Sequence, residues 1–135
     1  MRRMASSITG KAGEYRVTSE LLLRGYNPAT RVVDDGVDIV LNNHKTLQVK
    51  TVTTSHRGFY TVSFANSSWR KGIQSKKGSS LLADYVVIWV IPENDFYILP
   101  AVLINGKMSI SVGGKTGQLY TEYINRWELL NEEAK

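Results

Sequence analysis

The sequence predicts a mixed α/β domain, and three observations carry that prediction. A helix-period segment comes first. Several short strand-like runs follow it. After a polar stretch comes a strongly apolar run, Tyr85-Val86-Val87-Ile88-Trp89-Val90-Ile91, typical of a strand buried on both faces. A helix, then a β-meander, then a crossover to a buried strand compose a mixed α/β sheet.

The chain has 135 residues, no cysteine and a formal net charge of +5. That length suggests a single domain, residues 1–135, with a real hydrophobic core. Without cysteine there is neither a disulfide nor a thiolate metal site, which fits a reducing cytoplasm. No apolar run approaches the ~20 residues a membrane helix needs, so no membrane partner is expected. The first residues, Met1-Arg2-Arg3-Met4-Ala5-Ser6-Ser7, are basic and lack the apolar stretch of a secretion signal; residues 1–7 read as a flexible basic arm.

The elements follow in order. Gly10 to Arg24 reads as a helix, with Ser7 or Thr9 as candidate caps and Gly25 as its stop. Val17 and Leu21 fall at helical spacing, and Ala12, Tyr15 and Leu22 broaden the apolar side. Glu14 lies on the same stripe. Strand signals cover 29–33, 37–41, 46–52 and 58–64. Residues 66–80 are Ser/Gly/Lys-rich and read as part helix, part mobile loop. The buried strand, 84–91, should pair with 96–99 across the turn Pro92-Glu93-Asn94-Asp95. A short strand near 108–112 and a helix from about Tyr120 to Glu132 complete the chain.

Three polar residues interrupt two of the apolar runs: Asp38 in one, Gln48 and Lys50 in the next. Burying such groups is unfavourable unless they are paired or bind something. Register decides whether they meet, because opposed side chains of an antiparallel pair share a face. A three-residue loop of Asn43, His44 and Lys45 puts Val40 opposite Gln48 and Asp38 opposite Lys50. One face then holds Asp38, Val40, Gln48 and Lys50, and the other is almost purely apolar. A two-residue loop would mix both faces, so the hydrophobic pattern favours the odd loop.

The clustered groups suit phosphodiester hydrolysis. A hard divalent cation takes oxygen ligands. Asp38 can offer a carboxylate, Gln48 its amide oxygen and Val49 its backbone carbonyl. Glu14 joins them if its helix packs over that face. Lys50 is placed to stabilise developing phosphate charge or to help activate water.

These residues resemble the signature of the PD-(D/E)XK nuclease superfamily: a helix Glu, an Asp near the start of one strand, and (Asp/Glu)-x-Lys on the next. Gly13-Glu14, Gly36-Val37-Asp38-Ile39 and Gln48-Val49-Lys50 stand at those positions. Order and spacing are similar to small archaeal Holliday-junction resolvases. The Gln-x-Lys variant, the apolar strand before Phe96-Tyr97-Ile98-Leu99-Pro100, and Trp127 resemble a bacterial homing-endonuclease family. The resemblance covers about residues 10 to 100. It implies a restriction-endonuclease-like mixed sheet flanked by helices, Mg²⁺ (or Mn²⁺) dependence, and a homodimer or homotetramer around bent or branched DNA. It departs at Gln48, where most members carry an acid and some active ones carry Gln. Glu14, Asp38, Gln48 and Lys50 are therefore the expected catalytic set, with Glu14, Asp38, Gln48 and Val49 at the metal.

Charge adds a partner. Residues 1–80 carry 13 Lys/Arg and 5 Asp/Glu, whereas residues 81–135 carry 4 and 7. A basic half that also holds the polar constellation points to a polyanion, and DNA is the expected one. Arg2, Arg3, Lys11, Arg16, Arg57, Arg70, Lys71, Lys76 and Lys77 are the candidate phosphate contacts. Such contacts supply affinity and salt dependence rather than sequence reading. Trp69 can stack on a base or anchor the segment; Trp89 and Trp127 belong to the core or an interface. Plainer readings stay open: Asp38 and Lys50 as a cross-strand ion pair, Glu14 as a solvated helix residue, Gln48 bonded to a neighbouring strand. Three functions follow in turn: a metal-dependent DNA endonuclease, a DNA-binding protein on a nuclease scaffold, and a structural homo-oligomer.

Overall fold

In a computed structural model that describes residues 6–33, 36–55, 58–64, 66–70, 73–77, 83–114 and 120–131, the chain opens on helix α1 (Ser6–Leu23). The helix starts before the expected Gly10, and Thr9 in that added turn is buried. Thr9, Gly13, Val17 and Leu21 form its buried stripe at four-residue spacing. The stripe is narrower than the sequence suggested, for Ala12, Tyr15 and Leu22 all face outward. Of the expected arm at 1–7, Ser6 and Ser7 are helical and the rest lies outside the described residues. The stop at Gly25 is as expected. Gly25 is left-handed at φ +93°, Tyr26 N–H donates to Leu21 O, and Gly25 N–H donates to Leu22 O. That pair of bonds is a Schellman cap.

Among the described residues nine strands follow: β1 (Ala29–Thr30), β2 (Ile39–Val40), β3 (Thr46–Val52), β4 (Tyr60–Ser63), β5 (Asn66–Arg70), β6 (Ile73–Lys77), β7 (Tyr85–Val90), β8 (Asp95–Pro100) and β9 (Ser109–Val112). The main sheet has the order β1-β2-β3-β7-β8. All its neighbours are antiparallel except β3 and β7, which run parallel. The sequence expectation of a mixed α/β sheet therefore holds. The apolar run 85–90 is its most buried strand, with Val86, Val87, Ile88 and Val90 fully buried.

Four elements differ from expectation, each for a local reason. The β2–β3 loop does have three residues, but they are Asn42, Asn43 and His44. His44 N–H closes the turn onto Leu41 O, and Leu41 N–H bonds Lys45 O. His44 takes the left-handed conformation at φ 71° that such loops require. The register moves by two, so Val40 lies opposite Thr46, and Asp38 comes level with Gln48 rather than Lys50. An even shift preserves the faces. Second, β4 leaves the meander and pairs with β9. Third, the 66–80 stretch holds the antiparallel pair β5–β6 where helix and loop were expected. Its two large apolar residues before 80, Trp69 and Ile73, are four apart and carry no strand period. Fourth, the C-terminal α-helix is absent from the described residues. Two short 3₁₀ turns, Thr121–Tyr123 and Trp127–Asn131, flank Asn125 at φ 54°. Asn125 binds the edge of β8 instead: its N–H donates to Phe96 O, and its Oδ1 accepts from Phe96 N–H.

The sheet buries both faces. On one, Val17 and Leu21 of α1 pack with Ile39, Leu47, Val49, Val87 and Ile98, and Trp127 closes the layer. On the other, Val52, Val86, Ile88 and Leu99 pack with Tyr60, Val62, Ile110 and Val112 from β4 and β9. Helix and strand approach closely at Gly13, where an added Cβ would lie 1.8 Å from Thr51 Oγ1.

This packing makes two stability predictions. Gly10→Ala meets open space and should gain about 0.5–1 kcal/mol from helix propensity. Gly13→Ala has the same propensity gain, set against about 1–3 kcal/mol of overpacking. It should lower the thermal midpoint, and adding Thr51→Ala should recover most of the loss. A Gly13→Ala protein as stable as Gly10→Ala would contradict the close approach. Tyr97 is almost fully buried. Burial first, and then the Glu93 and Asp95 carboxylates, push its phenol up to about 12, opposed by a backbone hydrogen bond at Gly113. The neutral phenol stabilises the fold fully below the ordinary value of 10.0. As pH rises from there through about 12, that contribution is lost. Stability measured by urea unfolding should therefore fall over this range, by roughly 1.4 kcal/mol per pH unit, and Tyr97→Phe should flatten the decline.

Candidate metal-binding cleft

A cleft of about 350 Å³ opens where β2 parts from β3. The ladder is regular through Ile39 and Leu47 and then irregular: Asp38 N–H bonds Leu47 O, and the Asp38 carboxylate accepts from Val49 N–H at 2.7 Å. The side chain thus takes the bond that the next β2 residue would have made. A strand residue's N–H and C=O leave on the same edge. Val49's N–H points at Asp38, so its carbonyl faces the cleft as well.

Gln48, Val49 and Lys50 form one wall of the cleft, Val37 and Asp38 the next, and Lys11 and Glu14 of α1 the third. Helix α1 does not pack over the polar face, the arrangement expected to bring Glu14 in. It lies on the side of Leu47 and Val49. Glu14 nevertheless lines the cleft, because the opening at Asp38 lets both sides of the sheet share one space. The four expected residues are therefore together, by a route that strand parity alone does not describe.

The donor set is all oxygen. It comprises the carboxylates of Glu14 and Asp38, the Gln48 amide and the Val49 carbonyl. The Gln48 Oε1 atom is buried and has no hydrogen-bond partner among the described residues. A buried acceptor left so is unfavourable by about 1–3 kcal/mol, and a cation would satisfy it. This orphaned oxygen is the observation by which the set fits a hard divalent ion. Among the described residues no three His, Cys, Asp or Glu side chains gather, so the set rests on two carboxylates plus neutral oxygens. Lys11 Nζ lies 3.1 Å from Glu14 Oε2. Hydrogen bonding to Glu14 first, then its charge, raises the Lys11 pKa, with a smaller push from Asp38. The Lys50 ammonium sits 5.8 Å from the centre of the Phe64 ring, a cation–π seat that fixes its reach.

Other candidates fall elsewhere. Arg16 bonds Glu20 at 3.1 Å and lies over the rings of Phe96 and Trp89; it does not line the cleft. Lys76, Lys77 and Arg70 belong to the β5–β6 pair. Arg2, Arg3, Arg57 and Lys71 lie outside the described residues. Sequence reasoning missed Phe64, and it missed Arg31, Val32 and Val33, which also line the cleft. Exposed valines beside a turn were the available signal.

The described residues include no helix long and apolar enough to cross a membrane. No family model matches the chain, and no curated protein matches it. Among solved structures, MepB is similar with a TM-score of 0.48 and 13% identity, over 82% of this chain and 94% of that one. A bacterial homing endonuclease, I-Ssp6803I, is similar with a TM-score of 0.80 over 94% of this chain and 93% of that one, at 18% identity. Over nearly its whole length, the chain has the fold of that endonuclease.

Proposed function

We propose that this protein is a metal-dependent DNA endonuclease that hydrolyses phosphodiester bonds. The orphaned Gln48 oxygen, on a residue that lines one cleft with Glu14, Asp38 and Lys50, is the observation that carries this reading. The shared fold with a homing endonuclease supports it. Glu14, Asp38, Gln48 and the Val49 carbonyl would hold Mg²⁺ or Mn²⁺. Such an ion lowers the pKa of bound water and polarises the phosphoryl group. Asp38, anchored by Val49 N–H, would offer the ion a carboxylate already held in place in the cleft it lines. Lys50 stabilises charge developing on the phosphate. Lys11 offsets the Glu14 charge and offers an entering phosphate a cation. Branched junctions and a specific duplex site are the two substrate classes this reading admits.

The amide at Gln48 favours a second reading, a DNA-binding protein on a nuclease scaffold, because a neutral ligand holds the ion less strongly than a carboxylate. Supercoiled plasmid and synthetic four-way junctions separate the two. Wild type should cut in Mg²⁺ or Mn²⁺ and stop in EDTA. Asp38→Asn, which keeps an acceptor for Val49 N–H, and Lys50→Ala should each slow cleavage by roughly 10²–10³-fold. Gln48→Glu should lower the Mg²⁺ concentration needed. Binding without cleavage on any substrate would favour the second reading; the absence of salt-dependent binding would leave a structural protein.

We also propose a homodimer or homotetramer. The outer face of α1 supports this: Ile8, Tyr15, Leu22 and Leu23 are 59%, 66%, 56% and 80% exposed, with Ala12 and Ser19 between them. Apolar residues at three- and four-residue spacing suit a helix–helix seam. Light scattering should give a multiple of the 15.1 kDa chain mass, falling to the monomer in Tyr15→Glu/Leu22→Glu. A monomeric wild type would reject the seam.

A further inference from the structure

Helix α1 contains two interior glycines, Gly10 and Gly13. Each weakens the helix, because glycine loses more conformational freedom on folding than any other residue. Packing accounts for Gly13, where a Cβ would collide with Thr51 Oγ1. It does not account for Gly10, where a Cβ would meet nothing within 4 Å among the described residues. Yet Gly10 does not sit on an ordinary solvated face. It lines the candidate metal-binding cleft, as do Ser7, Lys11 and Glu14. These four are three and four residues apart, so they share one face of α1. Gly10 lies one turn before Glu14, about 6 Å along the axis. Among the described residues that line the cleft, Gly10 alone has no side chain.

We propose that the sugar–phosphate backbone of DNA lies against Gly10, which admits the nucleotide adjoining the phosphate held at Glu14 and Asp38. This rests on the endonuclease reading and adds the path of the strand. A bare Cα lets a ligand approach the helix backbone closely, and a chain of phosphates needs room beyond the one at the ion. Charge suits a polyanion there: Lys11 adjoins Gly10, and Arg31 lines the same cleft, its N–H bonded to Asp38 O at 3.0 Å. A second copy of the chain is the other occupant that a bare helix backbone could accept. The apolar positions suited to a second copy, Ile8, Tyr15 and Leu22, lie elsewhere on α1, since two residues of helix turn through about 200°. The helix thus forgoes stability at Gly10 to keep open a space that its own chain never fills.

The test measures binding of a labelled four-way junction and a random-sequence duplex in Ca²⁺ by fluorescence anisotropy, against the size of residue 10. Gly10→Ala, although more stable than wild type, should bind about threefold more weakly, and Gly10→Leu at least about tenfold more weakly. Mn²⁺ affinity without DNA, read by calorimetry, and the light-scattering mass should stay at their wild-type values in both. The chain has no cysteine, so Gly10→Cys carries a single thiol, and DNA with Ca²⁺ should slow its alkylation by iodoacetamide. Wild-type DNA affinity in Gly10→Leu, or alkylation indifferent to DNA, overturns the proposal. So does a loss of DNA affinity matched by loss of Mn²⁺ binding or of the oligomer, which would place the role of Gly10 in the ion site or between subunits. Cleavage in Mg²⁺ is scored separately. Size-dependent binding without cutting leaves the strand path standing and removes hydrolysis, whereas cutting that is indifferent to residue 10 does the reverse. A wild type with no DNA affinity removes both.

Discussion

The hydrogen bond from Val49 N–H to the Asp38 carboxylate is the constraint on which the site depends. Without it, β2 would continue along β3 and the ladder would close the space. With it, a side chain stands in for a strand, the backbone of β2 is released, and a polar opening forms at the margin of an apolar sheet. The same bond orients the Val49 carbonyl and holds Asp38 beside Gln48. A structural device and a chemical one are thus a single contact, of the charge-assisted kind that is roughly twice as strong as a neutral hydrogen bond.

Much of this was legible in the sequence because strands have an exact period of two. Asp38, Gln48 and Lys50 keep the same parity under any even shift, so their common face survived a register error. The error itself lay in which three residues turn. Asn42-Asn43-His44 and Asn43-His44-Lys45 both preserve the faces, and only the left-handed His44 distinguishes them. Glu14 lines the cleft for a reason only half visible in the sequence. Periodicity located it on α1, but only the splaying of β2 explains how a helix on the opposite face reaches the same space.

What stayed hidden had no periodic signal or was decided at a distance. Residues 66–77 hold only two large apolar side chains, Trp69 and Ile73, and their four-residue spacing does not signal the β5–β6 pair. The tail from Tyr120 has helical composition, yet Asn125 satisfies a strand edge far away in sequence, and that tertiary bond outweighs local preference. The outward face of α1 misled in another way: apolar spacing marks a surface to be buried without saying whether the cover belongs to the same chain.

Asn125 has one further consequence. A long open strand edge is a template for pairing with another chain. At β8 that edge is occupied by the tail, through Asn125 and the Tyr97–Ile124 bridge. At the far side, β1 is only two residues long. Among the described residues, the β8 edge is bonded at Phe96 and β1 offers only two residues, so neither margin presents a long free row of amides for strand-by-strand stacking. Any assembly this chain makes from its main sheet must be built from side chains meeting side chains, and surfaces of that kind can close into a finite particle.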